Sequence, residues 1–174
     1  QVLNVRLEEL SITDGLTGLF NHRHFWHLLH NELSRADRNK GDLAVILLDI
    51  DDFKRVNDQY GHPVGDVLLQ SFADVVREAV RETDIVARYG GEEFAVMLPN
   101  TERNGALRVA EKIRQSIEDM NFRVPDSDFT ISVTASIGVS IYQGNRRELF
   151  KAVDEALYVS KNKGKNCVSF AECT

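Results

Sequence analysis

Asp49, Asp51, Glu92 and Glu93 are the side chains whose type and spacing suggest chemistry. The two aspartates close an apolar run, LAVILLDID, and stand at i and i+2, so on a strand both carboxylates point to one face. The two glutamates follow Gly90 and Gly91 in DIVARYGGEEFAVMLP, between two strand-like runs. Gly90-Gly91 reads as a tight two-residue hairpin; equally, missing side chains let a bulky ligand approach the backbone. If the hairpin pairs beside the strand carrying Asp49, three or four carboxylates meet at one end of a sheet. Like charges about 4 Å apart at an effective dielectric near 20 repel by about 4 kcal/mol. Such a cluster takes up protons or a cation, and oxygen ligands of this kind suit Mg²⁺ or Mn²⁺, with substrate phosphates completing the shell. The alternative is a strand-end cap and a solvent-facing turn, and the pattern alone leaves both open. Lys54 and the amides of DFKRVN directly follow the aspartates, and Lys161, Lys163 and Lys165 lie in SKNKGKN. These could face a polyphosphate, or the latter three could simply oppose a helix dipole.

These groups need elements to position them. Phe25, Leu28, Leu29, Leu33 and Ala36 predict a helix over roughly residues 22–38, after a glycine-broken loop, TDGLTGLFN. Residues 43–48 are almost all apolar, which predicts a central strand buried on both faces. A short helix closed by Gly61 follows, then an amphipathic helix through residues 64–79. After the hairpin come a helix over about 102–119, a β-rich stretch FTISVTASIGVSIY, a helix over 146–161 and a closing strand at NCVSF. This order predicts an α/β (α+β) fold, a mixed sheet with helices on both faces. Residues 1–12 space Val2 or Leu3, Leu7 and Leu10 as the end of an upstream linker or signalling helix, the alternative being a frayed terminal helix, and 13–174 form one domain. The first residue is Gln1, which suggests a piece of a larger protein.

The formal net charge of −6 argues against a general nucleic-acid or anionic-membrane binder. No run approaches the ~20 apolar residues of a membrane span, and no signal peptide opens the chain. Two cysteines, Cys167 and Cys173, form no CxxC pair and read as reduced thiols in a cytoplasmic domain; membrane anchoring through segments outside this sequence stays compatible with that.

GGEEF at 90–94 resembles the signature of the GGDEF family of bacterial diguanylate cyclases. DGLTGLFN at 14–21, LDIDDFKRVNDQYGHPVGD at 48–66 and ALYVSKNKGKN at 156–166 resemble the family's other blocks, in order, over roughly residues 10–170. The resemblance implies a largely antiparallel central sheet like that of nucleotidyl cyclases and polymerase palms. It implies condensation of two GTP into cyclic di-GMP with release of two pyrophosphates, in a homodimer of head-to-tail domains, under an upstream sensory or receiver domain. It implies two Mg²⁺ or Mn²⁺ ions per half-site, held by Asp49, the main-chain carbonyl of Ile50 and Glu92. Glu92 would take the proton of the attacking 3′-hydroxyl, with Glu93 assisting. Lys54 would stabilise the transition state, Asn57 and Asp66 would read guanine, and His62 would lie beside the nucleoside. Phe53, Gly90, Gly91, Lys161 and Lys165 complete the implied substrate contacts. Arg81 and Asp84, in RETD, with Lys112, match an inhibitory site for the product.

Three positions depart from the family pattern. His22 replaces an Arg, Lys165 stands where Arg is common, and Lys112 replaces a second inhibitory-site Arg, which points to weaker product affinity. Other readings are a silent receptor for GTP or cyclic di-GMP, and a relaxed cyclase making hybrid cyclic GMP-AMP.

Overall fold

The computed structural model describes residues 11–173, so the linker helix expected over residues 1–12 lies outside the described residues except for Ser11 and Ile12. The helices are α1 (His22–Asn39), α2 (Phe53–Tyr60), α3 (His62–Ala79), α4 (Arg103–Glu118) and α5 (Arg146–Asn162). The strands are β1 (Leu43–Ile50), β2 (Ile85–Arg88), β3 (Glu93–Pro99), β4 (Asn121–Arg123), β5 (Thr130–Ser132), β6 (Ala135–Ile141) and β7 (Val168–Phe170). The main sheet runs β2-β3-β1-β6-β7. Its pairings are antiparallel except β6 with β7, so the sheet is mixed and largely antiparallel.

Every residue of β1 is buried, because the strand is central and both faces are covered. Ala44, Ile46, Leu48 and Ile50 face one core with Leu68, Phe72 and Val76 of α3 and Ala106, Ala110 and Ile113 of α4. Leu43, Val45 and Leu47 face the other, with Phe25, Leu29 and Leu33 of α1 and Leu149, Val153 and Leu157 of α5. Burying each such aliphatic side chain contributes about 1.5–3 kcal/mol. Asp49 continues the second set, so its carboxylate emerges on the α5 side of the sheet.

Gly138 on β6 fixes how close α5 comes. A Cβ there would stand 2.3 Å from the Leu157 amide nitrogen and 2.6 Å from the Val153 carbonyl oxygen. Any larger residue must push α5 outward, and Lys161, one turn beyond Leu157, moves with it.

The β-rich stretch FTISVTASIGVSIY is two strands, not one. β5 pairs with β4 in a separate two-stranded sheet, and only β6 joins the main sheet. The break falls at Thr134, whose carbonyl and hydroxyl are both taken by Asp51. β4 has no apolar alternation in the sequence and was not expected. Among the described residues no helix is long and apolar enough to cross a membrane.

Candidate functional site

β1 ends at the rim of the sheet with Asp49 opposite Glu93 of β3 and Ser136 of β6. The Ile50 amide donates to the Glu92 carbonyl at 3.3 Å, tying the glutamate turn to the strand end. The Lys161 ammonium reaches across from the last turn of α5 and donates to Asp49 Oδ2 at 2.5 Å. Desolvation, then the Asp49 charge and a hydrogen bond to it, push the Glu92 carboxyl above its ordinary value; Lys161 opposes this and Glu93 adds to it. Desolvation alone would lower the Lys161 pKa, but Asp49, Glu93 and Glu92 outweigh it and hold the ammonium above its usual range. Asp49 and Glu92 are therefore neighbouring acids that raise one another's cost of ionisation, with Lys161 as the cation opposing it.

Among the described residues no group of three or more His, Cys, Asp or Glu side chains is arranged to hold a metal. The expected cluster of three or four carboxylates thus reduces to the pair Asp49 and Glu92, with the Ile50 carbonyl beside them. Asp51 drops out because its oxygens are already used. Ser136 Oγ donates to Oδ1 at 2.6 Å, and Thr134 Oγ1 and the Asn166 amide donate to Oδ2 at 2.7 and 3.0 Å. Arg114 of α4 holds Asn166 in turn, donating to its Oδ1 at 2.8 Å. The donor set of Asp49, Glu92 and the Ile50 carbonyl (oxygens only, neighbouring like charges, one acid pushed toward protonation) fits a hard divalent cation.

The glutamate turn is longer than the two residues expected. Four residues, 89–92, connect β2 to β3, and neither Gly90 nor Gly91 has a positive φ. The amides of Tyr89 and Gly90 both donate to the Glu93 carbonyl, at 2.8 and 3.0 Å. Arg88 Nη2 and Nε donate to the Gly91 carbonyl at 2.7 and 3.2 Å, while Nη1 reaches Asp14 at 3.2 Å. This grip replaces the backbone register of a tight turn. A Cβ on Gly90 would meet Glu93 Oε2 at 2.9 Å, whereas Gly91 has nothing within 4 Å of that point and leaves its side open.

Asp14 is itself fixed by the Thr17 amide and hydroxyl, both at 2.8 Å. Burial would raise its pKa, but the Thr17 bonds and the Arg88 charge prevail and hold it below the ordinary carboxylate value. The loop 14–20 also pairs with the edge of the sheet, since the Arg88 amide donates to the Phe20 carbonyl at 2.9 Å. Asp14 and Arg88 carry no signal in the sequence beyond their charge; only their contact, 74 residues apart in the chain, reveals a role.

On the other side of β1, Asp52 precedes α2 with φ 57°, and no side chain caps the helix's first turn. Its free amides are available to an anion. Phe53 was expected to touch substrate, but its side chain is buried in the core and only its backbone is available. Lys54 is exposed and pairs with no carboxylate among the described residues. Lys165 is also close by, but its ammonium is bound to Asp52 at 2.6 Å, so it is committed to a carboxylate. Asn57 of α2 packs against Gly65 of α3, with His62 and Asp66 exposed on α3.

Arg81 and Asp84 lie elsewhere, between α3 and β2. The Arg81 amide donates to Asp84 Oδ2 at 2.9 Å, and the Asp84 amide returns a bond to the Arg81 carbonyl at 3.0 Å. Both line a cavity of about 320 Å³ with Arg77, Glu82 and residues 18–20. Lys112 is exposed on α4 and does not line that cavity.

The family described as "Diguanylate cyclase, GGDEF domain" matches residues 11–167. Diguanylate cyclase A of Treponema denticola is 39% identical over 175 residues, covering 97% of this chain and 47% of that protein. Response regulator PleD of Caulobacter vibrioides is 41% identical over 163 residues, covering 92% of this chain and 36% of that protein. The chain therefore spans less than half the length of these relatives. The GGDEF domain of DgcB from Caulobacter crescentus, solved in complex with c-di-GMP, superposes with a TM-score of 0.87 at 29% identity, covering 93% of each chain.

Proposed function

The chain belongs to the GGDEF-domain family of diguanylate cyclases, and from that premise we propose that it condenses two GTP into cyclic di-GMP and two pyrophosphates. The observation that carries this reading is the meeting at the sheet rim of Asp49, the glutamate turn bonded to the Ile50 amide, and Lys161, two residues before an uncapped helix whose first turn carries Lys54. Asp49, Glu92 and the Ile50 carbonyl would hold Mg²⁺ or Mn²⁺. When bound, the metal supplies charge neutralisation to the triphosphate and acidifies the attacking hydroxyl.

The chain's own groups do the rest. Lys54 and the first amides of α2 balance phosphate charge, and positioning of this kind supplies most of the catalysis in phosphoryl transfer. Lys161 and Lys165 reach the phosphates by exchanging their present carboxylate partners for them. Asp66 accepts from guanine N1–H and N2–H₂, donors that adenine lacks, and Asn57 supplies the companion contact; His62 flanks the nucleoside. In each half-reaction a 3′-oxygen bonds to the α-phosphorus of the other GTP. The bond from that phosphorus to the bridging oxygen breaks, pyrophosphate leaves, and the hydroxyl proton passes to Glu92. Glu93 follows it in the chain and faces Asp49 across the sheet.

One chain offers one GTP site, so the reaction takes two copies facing head to tail, brought together by a sensory or receiver region beyond this sequence. Product would bind at Arg81 and Asp84, where the cavity gives a guanidinium suited to phosphate and to the guanine edge. Arg77 lines the same cavity and Lys112 does not.

The test is incubation with GTP and Mg²⁺ at several protein concentrations. Pyrophosphate release is expected, with an initial rate rising as the square of protein concentration while dimers are scarce. GTP- or cyclic di-GMP-induced stabilisation with no pyrophosphate, in a sample shown to be dimeric, would establish a receptor instead. A mixed product from ATP plus GTP would mark a relaxed cyclase.

A further inference from the structure

We infer that Gly65 is a specificity-positioning residue: by lacking a side chain it admits the carbonyl end of Asn57 and sets the amide in the pose that reads the base. The inference rests on the cyclase reading and adds to it a residue that touches no substrate.

Gly65 sits in the first turn of α3 and its φ is not positive, so backbone geometry does not demand glycine there. Helix propensity disfavours it relative to alanine. Space is the reason for it. A Cβ would stand 1.8 Å from Asn57 Oδ1, 2.9 Å from Asn57 Cγ and 3.2 Å from Phe53 Cζ. Phe53 is held in the core, so Asn57 is the group that must yield.

Asn57 is in an unusual state. Its Oδ1 is the one buried side-chain polar atom without a hydrogen-bond partner among the described residues. Buried carbonyls are rarely left so, and only a weak Cα–H contact from Gly65 can face this one. Its Nδ2 is not among the buried, unpartnered atoms, so the half-buried side chain turns its donor end outward. Asp66, the residue after Gly65, is exposed and presents an acceptor.

An amide donor beside a carboxylate acceptor matches guanine, whose O6 accepts next to the N1–H donor. Adenine reverses that order. The unsatisfied Oδ1 is then explained as the cost of locking the amide so that it cannot rotate to offer its oxygen instead. With a methyl group at position 65, Asn57 leaves the slot and the donor is displaced.

The experiment measures GTP and ATP turnover, GTP binding by calorimetry, and melting temperature for wild type, Gly65→Ala, Asn57→Ala and the double variant. Gly65→Ala is expected to raise KM for GTP about tenfold or more with kcat within about threefold, and to cut the preference for GTP over ATP by a similar factor. Its melting temperature should match or exceed wild type, unlike that of a merely structural lesion. In the Asn57→Ala background the clash is gone, so Gly65→Ala should add less than about twofold; that comparison also serves if the single variant fails to fold. Wild-type KM and base preference in Gly65→Ala, or equal effects in both backgrounds, would overturn the inference and leave the cyclase reading intact. Absence of GTP binding by the wild type would remove both.

Discussion

Asp49 and Asp51 lie two residues apart, equally buried, on the same side of the same strand end, and they are opposites. Asp51 accepts three hydrogen bonds from neutral donors, and Arg114 fixes the loop that supplies one of them. Asp49 has one strong partner, the Lys161 ammonium, and its charge is among the causes that raise a neighbouring acid, Glu92. A fully satisfied buried carboxylate holds structure in place. One left with excess negative charge is unstable unless a cation or a proton arrives, and it marks where ligand chemistry occurs.

The largest effect that would break this contrast is on catalysis. Glu92→Gln or Asp49→Asn should lower pyrophosphate release by about a thousandfold or more, as losing a principal electrostatic group does. For Glu92→Gln, melting in metal-free buffer should stay level or rise, because repulsion is removed while the Asp49–Lys161 pair is kept. Asp51→Ala should behave in the reverse order. It strands two hydroxyls and an amide, and should cost about 3 kcal/mol in urea unfolding, with activity falling as the folded fraction and local order fall. If Asp51→Ala were stable and inactive, or Glu92→Gln unstable and active, the two regions would have been assigned the wrong way round.

Arg88→Lys sharpens the comparison at the glutamate turn. Lysine keeps the charge but cannot grip Gly91 and Asp14 together, so kcat should fall about tenfold to a hundredfold with KM for GTP little changed. A smaller effect concerns acid stability. The Asp14 pKa is depressed in the fold, so its stabilisation is fully present above the unfolded value of 3.8 and is lost as pH falls through the folded value. Asp14→Asn should therefore flatten the unfolding curve below about pH 4, by about 1 kcal/mol for a partly exposed pair. The smallest effect on initial rate belongs to Arg81→Ala, remote from the rim. It should leave the rate at low product within about twofold and relieve inhibition by added cyclic di-GMP.

Much of this was readable in the sequence. Helices α1, α3, α4 and α5 follow their apolar periodicity, and β1 reads as a doubly buried strand because the six residues 43–48 leave no polar face. Asp49, Glu92, Lys54, Asn57 and Asp66 were all candidates from sequence patterns and the resemblance they carry. The β4–β5 pair escaped, because three-residue strands with polar residues outside leave no period to detect. So did the length of the glutamate turn, since its form is set by Arg88 and not by its own residues. Gly65 gave no signal either, because a helical glycine shows its reason only once Asn57 lies against it.

By itself, the sequence determined which residues carry charge, which segments repeat at helical or strand period, and hence which side of each element must be buried; these are local properties, set by side-chain chemistry over a few neighbouring positions. Tertiary structure alone decided which charges meet. Lys161 reaches Asp49 across 112 residues because Gly138 lets α5 settle onto β6, and Asp51 is satisfied because Thr134, Ser136 and Asn166 converge on it from distant parts of the chain. Whether an acid is an anchor or a ligand depends on that convergence, since a carboxylate's free energy is fixed by the donors and charges within a few ångströms of it.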